Sequence, residues 1–213
     1  VFDSKQQSWI FQKIYSGDIW KTNEHSPLAE PGVSIEEGER LLAVGGVPVD
    51  EHKTPGELLV HQAGQFVPLT VTQGASDKLQ VLNDKNFEDN SRQVIVKTLS
   101  GEQEVRYREW VRENVKTIDS LTGGRVGYLH LPDMSTHGIA EFHRGYLAQV
   151  DREGLIIDAR YNAGGMVSPL ILEKLAHRHL GFDVPRWGTP ESYPYHTLRG
   201  HLIVIANQFT GSD

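Results

Sequence analysis

The sequence predicts an α/β protein built in two parts, a β-rich first part followed by one in which apolar strands alternate with helices. Three observations carry this. Up to about residue 100 the signals are short apolar runs separated by Gly, Pro and Asp turns. From about residue 107 helical apolar spacing alternates with strand-length apolar runs. Two of those runs, Leu155-Ile156-Ile157 and Leu202-Ile203-Val204-Ile205, are continuously apolar, as strands covered on both faces are.

In the first part a mixed apolar run at 9–15 predicts a strand. Ser26-Pro27-Leu28-Ala29-Glu30-Pro31-Gly32 predicts a short turn of helix closed by Pro and Gly. Residues 40–44 and 47–49 predict a hairpin about Gly45-Gly46. Thr54-Pro55-Gly56-Glu57 opens a helix with a Thr N-cap, Pro in the first turn and Glu three residues on, running to about Gly64. Strands follow at 67–72 and 93–99, with a polar loop at 77–90 between them.

A helix over 104–121 connects the two parts, with Val105, Trp110, Val111, Val115 and Ile118 at helical spacing and Thr122-Gly123-Gly124 as its stop. The second part then reads strand 126–131, helix 137–150, strand 154–159, helix 167–179 and strand 201–206. The expected organisation is a domain over 1–103, the connecting helix over 104–121, and the first part of a second domain over 122–213.

Composition bounds the function. The 213 residues are 38% hydrophobic and 23% charged, ordinary for a globular protein, and contain no run long enough to span a membrane. With no cysteine, disulfides, thiolate nucleophiles and Cys-based zinc sites are excluded, and a reducing, cytoplasmic setting is consistent. A net charge of -7 argues against nucleic acid as partner.

Two stretches carry chemistry. Asp158-Ala159-Arg160-Tyr161-Asn162-Ala163-Gly164-Gly165 directly follows a buried strand, where backbone N–H groups at paired glycines can face an anion. The Gly-Lys-Ser/Thr of a nucleotide loop is missing, so an oxyanion hole and a plain turn are the readings that stand. Asn207-Gln208-Phe209-Thr210-Gly211-Ser212-Asp213 follows the next buried strand. A serine on such a turn can attack a carbonyl, with the following N–H steadying the oxyanion, or can simply cap a helix. A Gly-x-Ser-x-Gly elbow is not matched, since Thr210 stands two before Ser212. Of the ten histidines none is assigned as base. His130 falls on a strand and His143 on a helix as structural residues, and His177 and His179, two apart on the expected helix, point to different faces. No metal site and no cofactor is expected.

A family resemblance joins these stretches. Ser26-Pro27-Leu28, Pro31-Gly32, Glu37-Gly38 and Leu41-Leu42-Ala43-Val44-Gly45-Gly46 resemble the PDZ domain of tricorn-type serine proteases. Arg106-Tyr107-Arg108-Glu109-Trp110-Val111 and then Gly127-Tyr128-Leu129-His130-Leu131-Pro132-Asp133-Met134 resemble the start of their catalytic domain. The stretch ending Gly164-Gly165 resembles their oxyanion segment, and Arg199-Gly200 through Gly211-Ser212-Asp213 their nucleophile segment. The resemblance implies a PDZ-like domain followed by part of a ClpP/crotonase-like serine protease core.

By the same resemblance Ser212 is the nucleophile, the backbone N–H groups of Gly165 and Asp213 form the oxyanion hole, and Gly164 binds substrate. Asp183 receives a basic P1 side chain by charge pairing. Ala163 replaces the first glycine of the family's Asn-Gly-Gly-Gly, which is tolerable where the backbone needs no positive φ. Peptides are the expected substrates, and a homo-oligomer the expected state of the intact protein. In the family the general-base His lies upstream of the PDZ domain and its orienting partner downstream of the nucleophile, so the 213-residue chain alone is expected to be inactive. The alternatives are a C-terminal-processing protease with a Ser–Lys dyad and a non-catalytic peptide-binding module, since PDZ-type domains take a peptide as an added strand.

Overall fold

The computed structural model describes residues 1–18, 21, 24–72 and 91–212, and the chain divides into two compact units, Val1–Glu109 and Trp110–Asp213. The loop expected at 77–90 and Asp213 lie outside the described residues.

The first unit is an antiparallel sheet. Its strands are β1 (Phe2–Asp3), β2 (Ser8–Ile10), β3 (Arg40–Val44), β4 (Val47–Pro48), β5 (Phe66–Thr72) and β6 (Ser91–Lys97), in the order β1-β2-β3-β5-β6 with β4 beside β3. Alternation decides which face is buried: Val67, Leu69 and Val71 of β5 and Val94 and Val96 of β6 point inward. They meet Ile35, Leu41 and Val44, with Trp9, Phe11 and Ile14 packed against them. The Gly45-Gly46 turn has both φ angles positive (61° and 78°), which is why glycines stand there.

The capping box at Thr54 is present, with the Glu57 N–H donating to Thr54 Oγ1 at 3.3 Å and the Thr54 N–H to Glu57 Oε2 at 3.2 Å. The helix it opens, α1 (Pro55–Leu58), is shorter than expected. His61 takes a φ of 60° and the Gly64 N–H goes to Thr98 O beyond β6, so the backbone leaves the helix before Gly64. The strand expected at 9–15 likewise stops at Ile10, because the Phe11 N–H turns to Glu39 O and the Ile14 N–H to the Glu37 carboxylate.

Helix α2 (Gln103–Thr122) contributes to both units. Before Glu109 it buries Val105 and Arg108 in the first, where the Arg108 guanidinium pairs with the Glu24 carboxylate. Burial alone would raise Glu24, but Arg108 and Lys21 more than offset this and hold it below the usual carboxylate range.

The second unit is built on parallel strands β7 (Val126–His130), β8 (Gly154–Asp158) and β11 (His201–Ile205), in the order β11-β8-β7. Helix α3 (Thr136–Leu147) lays Phe142 and Tyr146 on β7 and β8, and α4 (Ser168–Ala176) adds Ile171, closing a core of Leu129, Leu131, Leu155 and Ile157. Parallel strands with helical crossovers, expected from the alternating pattern, are what the chain forms. The expected burial of the 202–205 apolar run is not met: β11 lies at the edge of the β11-β8-β7 order, and Leu202, Ile203 and Val204 are 40–60% exposed. Helix α4 ends three residues earlier than expected. His177 is extended, and the Leu180 N–H pairs with Tyr193 O at the mouth of a hairpin absent from the sequence reading, β9 (Gly181–Asp183) with β10 (Glu191–Tyr193). His177 and His179 therefore do not lie on a helix.

Candidate active site

Strands β8 and β11 are neighbours and parallel, so the turns leaving their carboxyl ends emerge side by side. That end of an open α/β sheet is where ligands are commonly bound. The turn after β8 carries the Gly-Gly stretch, and the turn after β11 carries Ser212.

The first turn starts from a buried anchor. Asp158 is completely buried at the end of β8 and accepts from the Tyr128 hydroxyl at 2.7 Å and from the Arg160 guanidinium at 2.6–3.0 Å. Burial alone would raise the Asp158 carboxyl; the Arg160 and Tyr128 donors outweigh it and keep it below the ordinary range. The Tyr128 phenol is pushed up by the same burial and by the carboxylate beside it. The Arg160 guanidinium also stacks over the Trp110 ring at 5.6 Å, and Trp110 meets the His130 ring edge-on at 4.8 Å. His130 bonds Arg160 O through Nε2 at 2.9 Å, and burial pulls its imidazole pKa down. The structural reading of His130 fits this setting.

Past Arg160 the backbone makes a close approach. Tyr161, Gly164 and Gly165 all have positive φ (63°, 79° and 148°), while Ala163 does not, so the replacement of a glycine there carries no strain. The turn is stitched to the start of α3: the Met134 N–H donates to Gly164 O at 2.8 Å, and Met134 O accepts from the Met166 and Val167 N–H groups at 2.6 and 2.9 Å. Among the described residues nothing accepts from the Gly165 N–H.

The second turn is tied to the first. Asn207 Oδ1 accepts from the Tyr161 N–H at 3.2 Å, Thr210 Oγ1 donates to Ala159 O at 2.8 Å, and the Gly211 N–H donates to Asn162 O at 2.9 Å. The rings of Tyr161 and Phe209 stack at 5.5 Å across the same junction. These ties bring Ser212 against Gly164. A Cβ built on Gly164 would collide with Ser212 Cβ and stand 3.2 Å from Ser212 Oγ. Ser212 itself is exposed with a φ of 58°, an unusual conformation for a non-glycine residue and one found at functional turns.

A family model described as the tricorn protease PDZ domain matches residues 1–86, and one described as peptidase family S41 matches residues 125–213. Tricorn protease homolog 1 of Streptomyces coelicolor is 39% identical over 206 residues, covering 97% of this chain and 18% of the relative. The chain belongs to the tricorn protease family. The tricorn protease of Thermoplasma volcanium is 36% identical over 213 residues, all of this chain and 19% of the relative. A crystal structure of the tricorn protease superposes with a TM-score of 0.82 at 32% identity, over 95% of this chain and 18% of that one. The chain thus spans about a fifth of the length of the tricorn relatives it matches.

Of the residues expected at a tricorn-type site, the structure brings Ser212, Gly164 and Gly165 together. Asp183 stands apart from them in sequence, exposed on β9 with its carboxylate 3.5 Å from the Tyr195 hydroxyl. Asp213 lies outside the described residues. No group of acidic or histidine side chains fit to hold a metal is present among the described residues, and no helix there is long and apolar enough to cross a membrane. The sequence reading missed the residues that join the two turns, Asn162, Asn207 and Thr210. The signal for Asn162 was present, since an Asn two residues before a glycine is a common turn-former, but nothing in sequence names its partners.

Proposed function

We propose that the intact protein is a serine-type peptidase that cleaves peptide bonds by acyl transfer through Ser212. The observation that carries this is the seating of Ser212 against the Gly164-Gly165 turn, with the Gly165 N–H left without an acceptor among the described residues. Ser212 Oγ attacks the scissile carbonyl, a base takes its proton, and the leaving amine departs to give an acyl-enzyme that water then hydrolyses. As the carbonyl oxygen gains charge, a fixed donor aimed at it contributes most where it costs no reorganisation, and the backbone N–H of Gly165 is such a donor. The N–H of Asp213 completes the pair in this reading.

The Asp183 carboxylate is the proposed partner for a Lys or Arg side chain at P1, which agrees with its exposure on β9. Among the described residues no side chain hydrogen-bonds Ser212 Oγ, so the base is proposed to come from elsewhere in the intact protein. A serine hydroxyl without a base is a poor nucleophile near neutral pH, and the 213-residue chain on its own is therefore expected to be inactive.

Fluorophosphonate labelling of the intact protein, mapped by mass spectrometry, tests the reading. Label on Ser212, and loss of both label and peptidase activity in Ser212→Ala, are expected. The 213-residue chain alone should label at least a hundredfold more slowly. An unlabelled Ser212 in the folded intact protein, or full activity in Ser212→Ala, would leave a non-catalytic peptide-binding role as the better account.

A further inference from the structure

Two turns must hold their relative position to within a fraction of an ångström if Ser212 is to attack a carbonyl whose oxygen rests on Gly165. One buried residue touches both. Asn162 is 2% exposed and spends every polar group it has. Its N–H donates to Ala159 O at 3.1 Å, which closes the turn after β8. Its Oδ1 accepts from the Gly164 N–H at 2.8 Å and so sets the backbone of the glycine that faces Ser212. Its backbone O accepts from the Gly211 N–H at 2.9 Å and so holds the peptide just before Ser212. Its Nδ2 donates to Leu131 O at 2.8 Å, where β7 has just ended.

We propose that Asn162 is a positioning residue for the reaction: it locks the nucleophile turn and the oxyanion turn to each other and to the sheet. This rests on the reading of Ser212 as the nucleophile. The side chain is fixed by its chemistry. One short side chain must supply an acceptor to Gly164 and a donor to Leu131 at once, and the carboxamide does so from two separate atoms, Oδ1 and Nδ2. Aspartate keeps the acceptor but turns an oxygen toward the Leu131 carbonyl. Serine keeps a shorter acceptor, and alanine keeps neither. The backbone tie to Gly211 survives each change, so the substitutions loosen the frame that carries it without removing it.

A displacement of about 1 Å at reacting groups costs on the order of a hundredfold in rate. In the intact protein, Asn162→Ala is therefore expected to slow fluorophosphonate labelling of Ser212 by roughly ten- to a hundredfold per folded molecule. Asn162→Ser and Asn162→Asp should fall between it and wild type. For a fluorogenic peptide that the wild type cleaves, kcat should fall with the labelling rate while KM stays within about threefold.

Thermal melts on the same samples give the folded fraction, and the two milder variants keep the test open if Asn162→Ala does not fold. Wild-type labelling rates in folded variants would overturn the proposal. So would losses of activity that merely track the unfolded fraction. An unlabelled Ser212 in the wild type is a different result: it removes the nucleophile reading, and the inference with it.

Discussion

Gly164 is the residue whose missing side chain the site depends on. Its φ of 79° costs a residue with a Cβ about 1–2 kcal/mol on its own, and the added carbon would also run into Ser212. Gly164→Ala should therefore slow Ser212 labelling of the intact protein at least tenfold, because the serine must move to make room. Gly45→Ala separates strain from contact. It has a φ of 61° with nothing within 4 Å of the added Cβ, so it should lower stability by about 1 kcal/mol and leave labelling unchanged. Equal labelling by Gly164→Ala and wild type would mean that Ser212 does not need its place beside that glycine. Glycines of this kind are legible in sequence as a pair after a buried strand, and Ser212 as a serine after the next one. Asn162 and Thr210 are not legible as clamps, because Thr210 reaches a carbonyl 51 residues away and no local pattern records that distance.

The strands that carry the site are held by polar contacts as well as by their apolar faces. Tyr128 on β7 and Asp158 on β8 are joined by a buried hydrogen bond, and Asn114 of α2 donates to the same hydroxyl at 3.1 Å. Tyr128→Phe keeps the ring in the core and deletes the hydroxyl, which should cost about 1.5–3 kcal/mol at neutral pH, the usual range for a hydrogen bond to a charged group. The Tyr128 phenol titrates higher in the folded chain than the ordinary value of about 10. Its contribution is complete below about pH 10 and is lost as the pH climbs toward the folded value. Urea unfolding of the wild type at rising alkaline pH should show this loss, and Tyr128→Phe should show a flatter alkaline limb. Identical limbs would mean the hydroxyl is not held in the folded state. At this scale the sequence was informative where elements are long and periodic: β7, β8, β11 and α2 lie where apolar spacing put them, while α3 stops at Leu147, three residues short, and β11 is exposed where burial was expected. It failed for β9 and β10. Three-residue strands separated by Val184-Pro185-Arg186-Trp187-Gly188-Thr189-Pro190 read as loop, and they are strands only because they pair with each other.

Across the whole chain, α2 is the element on which a division into parts turns, because its residues serve two cores. Val105 and Arg108 are buried in the first unit, whereas Trp110 and Asn114 belong to the second through His130 and Tyr128. In the 213-residue chain Glu24 is 12% exposed and pairs with Arg108 and, at 3.0 Å, with Lys21; a chain cut at the end of the last sheet strand would lack Arg108. Breaking a buried pair by removing one member typically costs about 3–5 kcal/mol, a large share of a small domain's stability. Residues 1–122 are therefore expected to unfold in a single cooperative urea transition, and residues 1–100 to be less stable by at least about 3 kcal/mol or not to fold. Arg108→Met in the longer chain isolates the pair, since the stem volume is nearly kept and the charge is lost. The Glu24 carboxyl is held below its ordinary range, so the stability it contributes is present above about pH 4.5 and is lost as the pH falls through the folded value. Arg108→Met should accordingly flatten the acid limb of the stability profile. If residues 1–100 proved as stable as 1–122, with the same acid limb, α2 would be only a tether and Arg108 a bystander to the first core.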